Sequence, residues 1–233
     1  MMWRLRKLAS RHAPTWVRFG LLGRTTPVSS KYGYDRGTPI DRYYIADFLR
    51  EHSADIAGRT LEVGDDAYTR EFGGSRARQR DTIHLNPAVP ATFHGDMSQD
   101  GVLPRDAYDC AVITQTLQFI YDVRSALANL HDALKPGGTL LLTVPGITRI
   151  GDEAWVKDWY WALTPASLQL LLEEQFGDGQ IVIRSYGNVF AATSLLYGLA
   201  TEEVPRAKLD VVDHRYPVIL GARVTRKADQ RSS

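Results

Sequence analysis

The chain has 233 residues, 44% hydrophobic and 24% charged, with a net charge of +1 at pH 7. Those values describe an ordinary globular protein able to build one substantial core, and they exclude a disordered or fibrous chain. A single cysteine, Cys110, excludes a disulfide framework and a thiolate metal cluster.

The charge is unevenly spread. Arg4, Arg6, Lys7, Arg11, Arg18, Arg24 and Lys31 all precede the first acid, Asp35. Removing these from the total leaves a body of about −6. Residues 1–37 therefore read as a basic arm, weakly amphipathic around Trp3, Leu5 and Leu8, and interrupted by Pro14. Arginine and proline break up every stretch that could act as a secretory leader, and no apolar run reaches the roughly 20 residues of a membrane span. A cytoplasmic protein is expected. The arm is expected to dock on its own domain or on a second copy in a homodimer; weak contact with a membrane surface or an anionic partner is the minor reading.

A helix is expected over 39–52, where Ile40, Tyr44, Ile45, Phe48 and Leu49 recur at the helical period, with Thr38 as N-cap and Pro39 at the first position. Short apolar runs then alternate with helical ones. Strands are expected at 61–63, 82–85, 91–94, 110–113, 139–144, 181–185 and 218–224. Helices are expected at 122–134, 165–174 and 189–199. Cys110 falls in the fourth strand and reads as a small buried hydrophobe. The fifth strand is apolar on both faces, as a buried parallel strand should be. This order implies an α/β, doubly wound, mostly parallel seven-stranded sheet spanning residues 38–226, with 227–233 as a flexible tail.

The run Leu61-Glu62-Val63-Gly64-Asp65-Asp66 is a strand ending in a glycine turn that opens a helix. Such turns direct backbone N–H groups at a ligand, and glycine permits close approach. A pyrophosphate site would want Gly-x-Gly-x-x-Gly, which is absent, and three acids around one glycine would repel it. They suit a cationic ligand such as an ammonium or a sulfonium.

At this point the chain resembles the class I S-adenosylmethionine-dependent methyltransferases, type 11-like, over roughly residues 38–225. Four ordered motifs carry the resemblance: Leu61-Glu62-Val63-Gly64; His94-Gly95-Asp96-Met97; Tyr108-Asp109-Cys110-Ala111-Val112-Ile113; and Leu134-Lys135-Pro136-Gly137-Gly138-Thr139-Leu140. It implies an antiparallel seventh strand and S-adenosylmethionine as cofactor. Asp96 would read the adenine amino group and Met97 would pack on the ring. Glu62, Gly64, Asp65, Tyr68, Gln115 and Thr116 would complete the cofactor site. Two positions depart from the family pattern. Asp66 and Tyr68 stand where further glycines are usual, so Tyr68 is expected to stack on the ligand or wall it off. His84, with Asn86 after it, holds the place of the acid that binds the ribose hydroxyls. Only twelve positions separate His84 from Asp96, so Asn86–Pro90 is expected to be an extended loop.

Methyl transfer to a hydroxyl requires a base. His214 with Asp213, before the last strand, and Asp158 are the expected catalytic residues. Trp155, Trp159, Tyr160 and Tyr43 are the expected acceptor contacts, and Asp41, Arg42 and Tyr44 share Tyr43's helix, a region that closes over the cofactor in many members. No acid cluster has metal-ligand spacing, so metal independence is expected. The expected acceptor is a small molecule, a sugar or natural-product hydroxyl. Small-molecule N-methylation and a non-catalytic binding module on the same fold are the alternatives. Nucleic acid is not expected as a partner, because the basic residues concentrate in the arm.

Overall fold

The computed structural model describes residue 20 and residues 23–151, 157–177 and 179–228. Its strands are β1 (Gly58–Val63), β2 (Ala77–His84), β3 (Phe93–His94), β4 (Tyr108–Thr114), β5 (Leu134–Pro145), β6 (Gln180–Tyr186) and β7 (Ile219–Thr225). They make one sheet in the order β3-β2-β1-β4-β5-β7-β6. β1 to β5 pair in parallel, and β7 lies antiparallel between β5 and β6. The doubly wound sheet with its antiparallel last strand is thus as expected.

Helices α2 (Val123–Ala133) and α3 (Pro165–Phe176) cover one face; α1 (Ile40–Glu51), α4 (Val189–Leu196) and α5 (Arg206–Leu209) cover the other. Strand alternation feeds both cores. In β4, Ala111 and Ile113 join the α2–α3 side while Cys110 and Val112 join the α1 side; in β5, Leu140, Leu142 and Val144 oppose Leu141. Cys110 is fully buried, as expected, and burial pushes its thiol pKa up. On β7, Gly221 leaves room for α1: a Cβ there would stand 2.8 Å from the Phe48 ring.

Local features differ from the sequence reading: β2 begins at Ala77, five residues before the expected run, α4 ends at Leu196, and the short helix α5 is not among those expected. The turn after β1 does not open a full helix; it makes a π-helical turn over Thr69–Gly73 and a 3-10 turn over Gly74–Arg76 before entering β2. β3 is only two residues long, because threonine side chains replace the backbone ladder beside it. The Thr82 N–H donates to Thr92 Oγ1 at 3.1 Å and the Thr92 N–H to Thr82 Oγ1 at 3.3 Å. Lys135-Pro136-Gly137-Gly138 is drawn into β5, and the β4–β5 register shifts between Tyr108 and Cys110 to absorb it. The path from β2 to β3 carries no helix, as the spacing required, but it is not extended throughout: the Val89 N–H donates to the Asn86 carbonyl at 3.1 Å and closes a turn.

Thr38 does not cap α1. Its N–H and hydroxyl both donate to Glu202, at 2.9 and 2.8 Å, and Pro39 takes the cap position. These bonds belong to a strap. The Val28 and Ser29 N–H groups donate to the Tyr197 carbonyl, Arg36 pairs with Glu203, and Pro39 bridges to Ala200. From residue 28 onward, the segment grouped by charge with the arm packs on the body. Residues 1–19 and 21–22, which hold most of the basic charge, lie outside the described residues, as do Trp155 and residues 229–233. No described helix is long and apolar enough to cross a membrane.

Candidate active site

The site is built at the carboxyl ends of β1, β2 and β4, where an open α/β sheet binds ligands. Gly64 follows β1 with φ +87°, and a Cβ built on it would meet nothing within 4 Å. The turn therefore leaves open space where a side chain would project. Glu62, 2% exposed, points back into the turn and accepts the backbone N–H groups of Tyr68 at 3.0 Å and Thr69 at 2.8 Å. Burial pushes its carboxyl up to about 7, against the opposing effect of those two bonds. Asp65 is exposed and accepts the Ala67 N–H at 2.9 Å. Asp66 pairs with Arg80 at 2.8 Å and Arg70 at 3.2 Å. The acidity of this turn is thus largely spent on the protein's own groups, which corrects the reading of three acids held for a cation. Tyr68 turns inward, its ring 6.2 Å from Phe72 and its hydroxyl accepting from Arg42 at 3.2 Å. It braces a wall and does not stand over Gly64.

Beside the turn lies an apolar slot of about 150 Å³, lined by Val63, Ile83, Leu85, Gly95, Asp96, Met97, Thr116, Phe119 and Ile120. Asp96, Met97 and Thr116 are brought together here as expected. His84 Nδ1 lies 2.9 Å from the Asn86 backbone nitrogen and 3.2 Å from the Asn86 carbonyl oxygen, so this edge of the ring is used on the loop that follows β2. The Asn86 side chain is used locally, accepting the Ala88 N–H at 2.9 Å. His94 Nε2 lies 2.8 Å from the Val89 carbonyl and pins the β2–β3 loop.

A second cleft, about 160 Å³, shares Phe119 with the slot and is lined further by Tyr32, Tyr34, Asp41, Arg42, Gln115, Gln118 and Trp159. Two features mark it. Tyr32 (φ +56°) and Gln115 (φ +48°) are two of the three non-glycine residues with positive φ among those described. Such strain persists where surrounding structure enforces it, and it gathers at functional sites. In addition, Gln115 Nε2 and Gln118 Oε1 are buried there with no partner, although Gln118 is 2% exposed and a buried unpaired amide atom costs on the order of 1–3 kcal/mol. Arg42 is held in place by the Tyr34 hydroxyl at 2.8 Å and by Tyr68. Arg149 stacks on the Tyr32 ring, 4.1 Å from its centroid, and anchors the strap as the cleft's outer wall. Trp159 packs edge-on against Phe119, with ring centroids 5.1 Å apart.

The expected catalytic residues are not gathered here. Antiparallel pairing of Pro145 with Ile219 does bring the start of β7 to the carboxyl end of the sheet. But β7 lies two strands beyond β4, about 10 Å across the sheet. His214 lines a separate cavity of about 370 Å³ with Tyr43, Tyr44, Asp47, Arg184 and Asp210. Asp213 is gripped by Arg215 at 2.9 and 2.7 Å, which holds its carboxyl down at about 2. It therefore orients no histidine. Tyr43 donates to Asp210 in that same cavity, and this bond followed by burial pushes its hydroxyl up to about 12. Asp158 lies 3.4 Å from the Tyr160 hydroxyl, and Tyr160, 46% exposed, packs outward on Tyr121. Of the expected acceptor contacts that are described, only Trp159 reaches the cleft. Among the described residues no group of three or more His, Cys, Asp or Glu side chains could hold a metal.

A family profile described as a methyltransferase domain matches residues 30–176. The chain belongs to the class I S-adenosylmethionine-dependent methyltransferases. No functionally curated protein matches it. Solved structures of similar fold include an S-adenosylmethionine-dependent methyltransferase from Mesorhizobium loti (16% identity, 76% of this chain and 95% of that one, TM-score 0.55). Another, from Archaeoglobus fulgidus, shows 14% identity over 79% and 94% of the two chains, with TM-score 0.52. A Haemonchus contortus phosphoethanolamine N-methyltransferase, solved with phosphomonomethylethanolamine and S-adenosylhomocysteine, shows 13% identity over 86% and 61%, with TM-score 0.50.

The methyltransferase site fits its cofactor, S-adenosylmethionine. The open turn at Gly64 admits a ligand against the backbone, and the apolar slot carrying Asp96 and buried Met97 has the polarity of an adenine pocket. The cofactor supplies a methyl group on a sulfonium, leaving the protein to align the acceptor, exclude water and manage the acceptor's proton. Sequence reasoning missed Tyr32, Tyr34, Phe119 and Leu85, placed Asp41 and Arg42 only in a region that closes over the cofactor, and grouped Gln118 with Gln115 and Thr116 as contacts of the methionine moiety or the substrate. The one sequence signal for the strap was Tyr32-Gly33-Tyr34 at the end of the basic arm.

Proposed function

We propose that this methyltransferase transfers a methyl group to a hydroxyl of a small molecule, a sugar or a hydroxylated natural product, bound in the cleft between the strap and Gln115. The supporting observation is the pair of unpartnered amide atoms, Gln115 Nε2 and Gln118 Oε1, in an aromatic-walled cleft adjoining the cofactor slot. Aromatic faces suit the apolar faces of a small ring, and buried amide atoms suit its hydroxyl edges. Asp96, Met97 and Thr116 in the slot, His84 and Asn86 at the end of β2, and Gly64 after β1 are proposed cofactor contacts. The acidic body argues against nucleic acid as acceptor. A cytoplasmic location and metal independence belong to the same reading.

The test is a panel assay. Labelled S-adenosylmethionine is offered with methyl glycosides, catechol-type phenols and primary amines, with and without a chelator, alongside calorimetry with S-adenosylhomocysteine. Transfer to a hydroxyl of the panel supports the proposal. Transfer to amines alone would replace it with N-methylation, and absence of S-adenosylhomocysteine binding at millimolar concentration would favour a non-catalytic module.

A further inference from the structure

We propose that Asp41 is the catalytic base of this enzyme, taking the proton of the acceptor hydroxyl as the methyl group is transferred. The inference rests on the hydroxyl reading above and adds to it the residue that the sequence placed elsewhere.

Asp41 lies in the first turn of α1, and its carboxylate lines the strap cleft, with a side-chain exposure of 21%. It is the only carboxylate or histidine among the described residues lining that cleft. The other ionisable groups there are Arg42, from the same helix, and Tyr32 and Tyr34, from the strap; Tyr68, on the turn after β1, stands behind Arg42. Arg42 Nε lies 3.8 Å from Asp41 Oδ2, beyond a hydrogen bond, and its guanidinium is committed to the two tyrosine hydroxyls. Asp41 is therefore near a cation without being capped by it. This contrasts with Asp213, whose two oxygens are both held by Arg215. In the same cleft, the unpartnered Gln118 Oε1 and Gln115 Nε2 and the positive-φ Tyr32 and Gln115 mark a ligand site independently of the carboxylate.

The chemistry balances. The acceptor oxygen forms its bond to the methyl carbon as the carbon–sulfur bond breaks, and that bond's electron pair stays on sulfur to give the neutral thioether S-adenosylhomocysteine. The hydroxyl proton passes to Asp41, which returns it to solvent after the product ether leaves. Burial raises the proton affinity of Asp41 above that of an ordinary carboxylate, with Arg42 opposing, which brings it closer to what a base at neutral pH requires.

The experiment compares wild type with Asp41→Asn and Asp41→Glu, using the panel acceptor and S-adenosylhomocysteine as binding probe. Asp41→Asn is expected to lower kcat at least about 100-fold, to abolish the acid limb of the pH profile, and to leave the S-adenosylhomocysteine Kd within about threefold and the melting temperature near wild type. Asp41→Glu should restore part of the rate and the acid limb. A kcat within about threefold of wild type in Asp41→Asn overturns the inference while leaving the hydroxyl reading intact. Loss of S-adenosylhomocysteine binding in Asp41→Asn also overturns it, by assigning Asp41 to the cofactor. If wild type binds S-adenosylhomocysteine yet methylates no hydroxyl in the panel, the underlying reading fails and the inference fails with it.

Discussion

Glu62 and Gly64 sit two residues apart and make opposite kinds of demand. The Glu62 carboxyl is lifted to about 7 in the fold, from 4.5 in the unfolded chain. The native state thus holds its proton more tightly, and stability falls as pH rises from about 4.5 to about 7, then levels off. At about 1.4 kcal/mol per pKa unit the loss is on the order of 3 kcal/mol or slightly more. Melting temperatures measured from pH 5 to 8 should decline in wild type, and Glu62→Gln should flatten that decline; an equal slope in both proteins would count against the assignment. Gly64→Ala places a side chain at φ +87° with no steric neighbour. Backbone strain alone should cost about 1–2 kcal/mol, whereas S-adenosylhomocysteine affinity by calorimetry should drop at least about tenfold, because the Cβ enters the space kept for the ligand. Gly64, Met97 and Gln115 were legible because each belongs to a short motif fixed to one strand end. Asp41 was not: Tyr32, Asp41, Gln115 and Trp159 come from four distant stretches, and no spacing announces their meeting. His214 was misread because Asp213 looked like its partner in sequence, while Arg215 on the other side forms the better fork.

At the scale of elements, α1, which carries Asp41 in its first turn, packs on β7 through Phe48. The Phe48 ring occupies the place of a side chain on Gly221, so Gly221→Ala must push the helix or rotate the ring. The expected cost is about 1–3 kcal/mol, read as a lower denaturation midpoint at unchanged m-value. Five of the seven strands were legible as apolar runs because each crosses a covered sheet; β2 was legible only at its last residues, because it begins at Ala77 and runs through exposed Arg78, Gln79 and Arg80. β3 was read two residues too long because an extended Ala-Thr-Phe-His run and a strand look alike until one asks which groups take the hydrogen bonds. The turn after β1 was read as a helix because glycine turns commonly open one; here Glu62 satisfies the first N–H groups from below and a single π-helical turn suffices.

At the scale of the whole molecule, the sheet carries two adjoining recesses on one rim, one aliphatic and one walled by aromatic rings and carrying Asp41, Arg42 and two glutamines, and a ligand spanning them would tie β1, β2 and β4 to the strap. S-adenosylhomocysteine at a hundred times its Kd should add about 2.7 kcal/mol of stability, a rise in melting temperature of roughly 5–10 °C for a chain of this size; no shift at saturating ligand would oppose a cofactor-binding role. The fold was legible from the order of strands and helices, and the cofactor slot from motifs inside it. The acceptor cleft needed the strap, whose docking depends on Glu202, Glu203 and Tyr197, more than 150 residues away in sequence. Leu85 now shows a thermodynamic consequence. It is 72% exposed at the rim of the apolar slot, held out by the loop that replaces a helix. A purine seated there would cover Leu85 together with Val63, Ile83 and Ile120. Removing that hydrocarbon from water gives association a negative heat-capacity change. Calorimetry at several temperatures should find the binding enthalpy growing more favourable on warming, and Leu85→Ser should shallow that slope.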